Sequence, residues 1–186
     1  MKQYLFLATL ILILFSFSSC EDDDPTPPNE EELITTLTVT MTPQGGGDVA
    51  VFQFRDIDGE GGNDAVITGA TLAANTTYDA TIELLNESES PAEDITAEVR
   101  EEGEDHQFFF ATTAGVNLSY AYNDTDSNGN PIGLETLFQT SDASSGQFQV
   151  TLRHEPNKTA SGVSAGDISN AGGETDIEVV FDIEIQ

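Results

Sequence analysis

The stretch IEVVFDIEI, residues 177–185, decides the fold class. Its apolar residues at positions 177, 179, 181, 183 and 185 alternate with Glu178, Asp182 and Glu184. A period of two puts the two sets on opposite faces of a β-strand, one face buried and the other in water. The segment is therefore predicted to be a strand that covers a hydrophobic core.

The same alternation recurs through most of the chain. It is seen at 37–41, 78–84, 116–122 and 148–152, and further strand candidates lie at 48–55, 65–71, 106–113 and 132–140. Gly, Asn and Asp clusters separate these segments and are typical of turns. About nine short strands predict an all-β fold, an antiparallel Greek-key β-sandwich of immunoglobulin-like type.

One segment has a helical pattern. Residues 90–93, SPAE, have the form of a capping box with proline at the first helical position. Ile95 and Val99 then share one helical face, and Gly103 follows as a stop signal. The sequence predicts one short helix at about 91–102, with the role of a connector over one end of the core.

Residues 72–78, LAANTTY, have the spacing of the tyrosine corner L-x-P-G-T-x-Y. In this respect the chain resembles fibronectin type III and immunoglobulin-like sandwiches. The resemblance implies that Tyr78 forms a hydrogen bond back across the turn. Ala74 stands where the pattern usually has proline.

The N-terminal residues have the pattern of a lipoprotein signal. Lys2 precedes an apolar run at 4–17, and small residues at 18 and 19 precede Cys20, the only cysteine. The run is shorter than the roughly 20 residues that a spanning helix needs. We therefore predict a signal peptide at 1–19, lipidation of Cys20, an acidic proline-rich tether at 20–32 and one domain at 33–186. The alternative is an ordinary secretory signal with a chance cysteine.

The chain is strongly acidic, with a formal net charge of −29. Such a charge repels nucleic acids and anionic lipid headgroups, so neither is expected as a partner, whereas cations are attracted. The expected membrane contact is the lipid anchor alone, and a protein or glycan partner is left open.

The sharpest local motif is an acidic loop that fits the calcium-loop pattern D-x-[DN]-x-[DN]-G-x5-E. Its oxygen ligands would be Asp124, Asp126, Asn128, Asn130 and Glu135, with Gly129 at the turn. Alternate oxygen side chains and a closing glutamate suit Ca²⁺. The flanking segments are strand-like, so the alternative is an acidic hairpin turn without an ion.

A second acidic loop is a weaker calcium candidate. It has oxygen and glycine chemistry without a closing glutamate at the required spacing. Its residues are Asp56, Asp58, Gly59, Glu60, Asn63 and Asp64.

Basic residues are concentrated at the end of one strand. Arg153, His154 and Lys158 are a candidate site for a small anion or a carboxylate ligand, and the alternative is internal charge pairing with the acidic surface. His106 and His154, with Glu104 or Asp105 nearby, are a further possible zinc set, although no spacing motif supports it.

No catalytic motif stands out. The sequence has no G-x-S-x-G, no H-E-x-x-H and no P-loop pattern, and its one cysteine is assigned to the anchor. The protein is therefore expected not to be an enzyme.

Several stretches look like a family of short acidic lipoproteins from flavobacteria whose function is uncharacterised. They are NEEELITTLTVT, LAANTTYDATIELLNESESPAEDITAEV, NDTDSNGNPIGLE, LRHEPNK and NAGGETDIEV. Some members carry the label "type 1 periplasmic binding fold", which implies two α/β lobes. This chain departs from that label, since it is about half the length needed and does not alternate strands with helices. Acidic residues 21–24 resemble the Bacteroidota signal for the outer face of the outer membrane.

These features favour a surface-exposed, calcium-stabilised β-sandwich lipoprotein that binds or structures something outside the cell. The first alternative is a periplasm-facing accessory that presents a small ligand to a transport or sensing system. The second is an enzyme, a metal-dependent hydrolase, that uses the basic strand end.

Overall fold

The computed structural model describes residues 33–59 and 61–186, which form one compact unit. The predicted signal peptide, Cys20 and the tether lie outside the described residues, as does Glu60. The described chain contains eleven strands, one α-helix, α1 (Ile95–Glu101), and two short 3-10 helices at Val163–Ala165 and Ile168–Asn170. The strands are β1 Thr36–Pro43, β2 Ala50–Arg55, β3 Val66–Thr68, β4 Ala70–Leu72, β5 Thr77–Asn86, β6 Glu93–Asp94, β7 His106–Thr112, β8 Leu118–Tyr122, β9 Glu135–Thr140, β10 Ser144–His154 and β11 Glu174–Ile185.

The strands form two sheets, which confirms the all-β sandwich. The larger sheet has the order β3-β2-β1-β5-β9-β8, with β6 beside β5, and the smaller has the order β4-β11-β10-β7. All but one of the pairings between the described strands are antiparallel. The exception is β4, which pairs in parallel with β11 at the edge of the smaller sheet.

The count of strands exceeds the predicted nine because one predicted strand is divided. Residues 65–71 form β3 in the larger sheet and β4 in the smaller sheet, with Gly69 between them. A Cβ at Gly69 would collide with the backbone carbonyl of Asp182, so only glycine lets the chain pass this close to β11. The second additional strand is the two-residue β6.

Aromatic rings from both sheets fill the core. Phe52 of the larger sheet meets Phe148 and Phe181 of the smaller sheet edge-to-face, with ring centroids 5.3 and 5.6 Å apart. Phe110 and Phe138 make the same kind of contact across the sheets at 5.1 Å. Such pairs add roughly 0.5–1.5 kcal/mol each to the benefit of burial. The predicted inward-facing residues of β11 at 179, 181, 183 and 185 are all buried.

The hydrogen bond expected at the tyrosine corner is formed. The backbone N–H of Ala73 donates to the Tyr78 hydroxyl over 2.7 Å, and Tyr78 is buried. Asn75 has a φ of 52°, a left-handed conformation that asparagine tolerates better than most residues. The corner therefore fixes the turn between β4 and β5, where the chain returns from the smaller sheet to the larger one.

The helix begins later than predicted. It starts at Ile95 because residues 93 and 94 pair with β5 as β6, which holds their backbone extended. Asp94 then caps the helix by accepting a hydrogen bond from the N–H of Ala97. The capping box at 90–93 was therefore the wrong start, whereas the shared buried face of Ile95 and Val99 is confirmed.

A threonine fastens the helix to the sheet. The Thr96 hydroxyl accepts a hydrogen bond from the N–H of Leu84 and donates one to the Leu84 carbonyl. Both groups belong to β5, so α1 lies against one end of the core as predicted. None of the described helices is both long and apolar enough to cross a membrane.

The tyrosine corner gives a direct test of the fold. Changing Tyr78→Phe should lower the free energy of unfolding by about 0.5–1.5 kcal/mol, because it removes the hydrogen bond that the N–H of Ala73 donates to the Tyr78 hydroxyl. Urea unfolding followed by circular dichroism measures the loss. Tyr120→Phe is the matched control, since that tyrosine is half-buried and its 3.3 Å hydrogen bond to the Gly166 carbonyl is longer than the one at the corner. Equal losses in the two variants would contradict a special role for the corner.

Candidate functional site

Two buried polar clusters lie at one end of the sandwich, on either side of the turn that follows α1. The first, the Lys158 cluster, consists of Lys158, Asp126 and the backbone carbonyls of Gly103 and Pro131. The second, the His–Asp cluster, consists of His106, His154 and Asp176. Both use carbonyls of the turn as hydrogen-bond acceptors, Glu102 for His106 and Gly103 for Lys158. The His106 imidazole and the Lys158 ammonium thus donate hydrogen bonds near the C-terminal end of α1, where the helix dipole is negative.

The predicted calcium loop is closed by hydrogen bonds from the chain itself. Asp124 accepts the backbone N–H groups of Gly133 and Glu135 over 2.7 and 3.0 Å. One carboxylate oxygen of Asp126 accepts the N–H groups of Asn128 and Asn130, each over 2.9 Å. The aspartates therefore act first as acceptors that shape the turn.

The second oxygen of Asp126 faces the ammonium group of Lys158. The two atoms are 3.0 Å apart, and the side chains are only 4% and 1% exposed. The same ammonium donates to the carbonyls of Pro131, over 3.0 Å, and of Gly103. The loop thus already holds a cation that belongs to the protein.

The remaining predicted calcium ligands do not complete a cation cage. Glu135 is about half exposed and lies 3.6 Å from the guanidinium of Arg100. Among the described residues, the side chains of Asp124, Asp126 and Glu135 do not converge as a set of metal ligands. The geometry favours the alternative to a calcium loop, an acidic turn held by its own hydrogen bonds. Binding of a calcium ion at this loop stays a prediction.

Charge and burial act against each other in the Lys158 cluster. Burial would raise the pKa of Asp126, but hydrogen bonds from Lys158 and the Asn130 amide outweigh it and hold the pKa below its usual range. Burial lowers the pKa of Lys158, and the neighbouring carboxylates, Asp126 first, oppose this shift. Because the folded-state pKa of Asp126 is lowered, its stabilising effect is complete above the unfolded pKa of about 4 and is lost as the pH falls through the folded pKa.

The weaker acidic loop is also organised by its own donors. Asp58 accepts hydrogen bonds from the backbone and side-chain amides of Asn63, which lower the pKa of Asp58. Asp56 accepts the N–H of Gly59 over 3.0 Å. Asp64 is exposed, and Glu60 is not among the described residues.

The three residues of the predicted ligand site bind different parts of the chain. Arg153 donates to the carbonyls of Gly172 and Gly173, just before β11, and to the hydroxyl of Thr175 near the start of β11. Lys158 lies in the cluster described above, and His154 belongs to the other cluster. Lys158 forms an internal ion pair with Asp126, as the alternative to a ligand site predicted.

The two histidines meet on neighbouring strands of the smaller sheet. His106 begins β7 and His154 ends β10, and the two stand directly opposite each other in the antiparallel register. Their positions continue the inward-facing rows of Phe108 and Leu152. The ring centroids are 4.7 Å apart with a tilt of 32°. The pairing of the histidines noted from sequence is therefore seen in space.

Their carboxylate partner is Asp176, which sequence analysis missed. Leu152 pairs with Ile177 and Arg153 pairs with Thr175, so Asp176 is the additional residue of a β-bulge in β11. A bulge can turn an outward side chain toward the interior. Simple alternation would have placed Asp176 with Glu178 on the wet face, and Glu104 and Asp105 were the expected partners instead. Among the described residues, His106, His154 and Asp176 are the one group of three histidine or acidic side chains close enough together to hold a metal ion.

The His–Asp cluster is compact and almost closed to solvent. Nε2 of His106 lies 3.8 Å from Oδ2 of Asp176, and Nδ1 of His154 lies 3.6 Å from Oδ1. The exposed fractions of the three side chains are 0%, 9% and 1% for His106, His154 and Asp176. Two imidazole nitrogens and one carboxylate are a suitable ligand set for a transition-metal ion.

The backbone around the cluster is held in place from outside. Gly173 has a φ of 68°, and a Cβ there would collide with the carbonyls of His154 and Glu155. The Arg153 guanidinium binds the carbonyls of Gly172 and Gly173 on the same segment. These contacts fix the chain just before Asp176 and so support the bulge.

Comparison with known proteins gives no relative for this chain. It matches no protein-family model, no curated protein and no solved structure. The two clusters therefore take no residue role from a relative.

The Lys158 cluster predicts a large effect of one isosteric change. Asp126→Asn should lower the free energy of unfolding at pH 7 by about 3–5 kcal/mol, because it leaves a buried ammonium without its counter-charge. Denaturant unfolding measures the change, and the difference from the parent should shrink when the pH falls below the folded-state pKa of Asp126.

Two further variants isolate the pair. The double variant Asp126→Asn, Lys158→Met should lose less stability than the sum of the two single variants, because the second change removes the stranded charge. Asp142→Asn removes an exposed acid from another turn and should change stability by no more than about 0.5 kcal/mol. Additive losses, or a stabilised Asp126→Asn protein, would contradict a structural ion pair.

Proposed function

We propose that this protein is a cell-envelope lipoprotein, held at the outer face of the outer membrane by acyl chains on Cys20, and that its sandwich is a non-catalytic binding or structural module. The N-terminal pattern supports the anchor. Two or more acyl chains would make the attachment lasting, at about 0.8 kcal/mol for each buried methylene.

The filled interior of the sandwich carries the proposal. Rings from both sheets close the core of the described domain, and the pocket beside Phe110 and Phe148 measures about 40 Å³. A pocket for a small organic ligand usually has several hundred Å³ and a mainly apolar lining. The described domain therefore supports recognition at its surface better than capture of a small ligand inside it.

The larger hollows are grooves on the surface. One of about 570 Å³ runs along strands β8 and β9, at the edge of the larger sheet. Its lining is mainly polar and includes Asn75, Asn117, Ser119, Gln139 and Ser141. Amide and hydroxyl groups in a shallow groove suit a hydrated partner, such as a glycan or an extended peptide, and this agrees with the proposed surface role.

Calcium stabilisation is a second part of the proposal. The pattern at 124–135 supports it, whereas the ammonium of Lys158 already neutralises Asp126. Equal melting temperatures in millimolar calcium and in chelator would contradict calcium stabilisation and would show that the loop at 124–135 is only a turn.

The alternatives differ in orientation and chemistry. A periplasm-facing accessory for transport or sensing would need the sandwich on the inner side of the outer membrane. A metal-dependent hydrolase would need substrate to reach a metal. The His–Asp cluster, the group of described residues that could hold a metal ion, is almost fully buried.

Protease treatment of intact cells tests the proposed location. Externally added protease should remove the protein from intact cells, because the domain would face the medium. Immunoblotting against the sandwich measures the loss, and a soluble periplasmic protein that survives the treatment is the control for an intact envelope. Survival of the sandwich in intact cells, with loss after lysis, would contradict surface exposure.

A substitution at Cys20 tests the lipid anchor separately from the surface location. Cys20→Ala removes the sulfur that would be acylated, so the protein should leave the membrane fraction and lose the mass of its acyl chains in mass spectrometry. A Cys20→Ala protein that stays in the membrane fraction would contradict anchoring through this residue.

A further inference from the structure

The hydrogen bond at His106 defines which ring nitrogen can bind something else. Nδ1 of His106 lies 3.1 Å from the carbonyl oxygen of Glu102. A carbonyl can only accept, so Nδ1 must carry the proton. In the neutral ring Nε2 then has a lone pair, and this nitrogen faces the carboxylate of Asp176.

The imidazole nitrogens of His106 and His154 lie farther from the carboxylate of Asp176 than in a charge-assisted hydrogen bond. Charge-assisted hydrogen bonds between nitrogen and carboxylate are about 2.7–2.9 Å long. The two imidazole–carboxylate distances, 3.8 Å from His106 and 3.6 Å from His154, are clearly longer. Asp176 stands against both rings at the wider spacing, which leaves room for a larger cation shared by all three side chains.

A metal ion matches that spacing. Ligand atoms in a tetrahedral zinc site, with bonds of 2.0–2.2 Å, are about 3.3–3.5 Å apart. The three ligand atoms here all lie within 4.8 Å of one another, so closure requires a movement of at most about 1.4 Å. The proton on Nδ1 of His106, directed at a backbone carbonyl, also matches the way in which metal-bound histidines are oriented.

We propose that His106, His154 and Asp176 bind one zinc-class ion, through Nε2 of His106, Nδ1 of His154 and a carboxylate oxygen of Asp176. Imidazole nitrogens select zinc and its neighbours over calcium and magnesium, which prefer oxygen. This site is separate from the predicted calcium loops and does not depend on the proposed surface role.

The ion would join three strands at the end of the smaller sheet. His106, His154 and Asp176 come from β7, β10 and β11, which are neighbours in that sheet. Zinc therefore closes this end of the sandwich and stabilises the β-bulge. The burial of the ligands points to a structural ion.

Nuclear magnetic resonance gives a direct test, because the chain has only two histidines. The full chain is purified in detergent without a histidine tag, stripped with chelator and then titrated with zinc alone. In long-range ¹H–¹⁵N spectra, one equivalent should shift Nε2 of His106 and Nδ1 of His154 to metal-bound values. Nδ1 of His106 should keep its proton. Millimolar calcium or magnesium should leave all four nitrogens unchanged.

Calorimetry and thermal melting provide the second measurement. One zinc should bind per chain and raise the melting temperature. Asp176→Asn should weaken binding by more than the roughly 10–100-fold that loss of an outer partner costs. Asp182→Asn is the matched control, since it removes an exposed acid from the same strand and should keep the parent affinity.

Three results would overturn the proposal. They are imidazole nitrogens that do not respond to zinc, zinc binding that Asp176→Asn leaves unchanged, and binding through the opposite nitrogens of the rings. Zinc uptake without any imidazole shift would show adsorption to the acidic surface and would also count against the site. The spectra of the parent protein decide the matter even if a variant does not fold.

Discussion

Burial of alternate side chains between two sheets is the constraint on which the rest of this structure depends. The inward rows of β2, β7, β9, β10 and β11 carry the phenylalanines that contact one another across the sandwich. Each strand must keep its register, because a slip by one residue would turn its apolar row toward water. At one end the apolar rows give way to His106 and His154, so the same constraint that builds the core also buries two imidazoles there.

This constraint explains why much of the fold could be predicted from the sequence. Alternation with a period of two is a local signal, and each of the nine predicted segments contains a strand. The turn at 72–78 is also local, since Ala73 and Tyr78 are only five positions apart. The helix start was misjudged because β6 pairs with β5, and that contact is not visible in the segment itself.

The parts that could not be predicted depend on contacts distant in sequence. Lys158 is 32 residues from Asp126, so the motif at 124–135 could be read as a calcium loop while its cation came from elsewhere in the chain. Asp176 enters the interior through a bulge, and the alternation around it indicates an exposed residue. His106 and His154 could be paired from sequence because they are the only two histidines in the chain. Their carboxylate partner, Asp176, could not be identified without knowing the register between β10 and β11.

The position of β11 has a consequence for how the chain acquires its structure. This strand lies inside the smaller sheet, between β10 and β4, and it is the last strand along the described chain. Residues 70–72 cannot pair until residues 183–185 have been synthesised, and β10 lacks one neighbour until then. The smaller sheet is therefore completed only when the last strand of the described chain is present, because β11 is the neighbour of both β10 and β4.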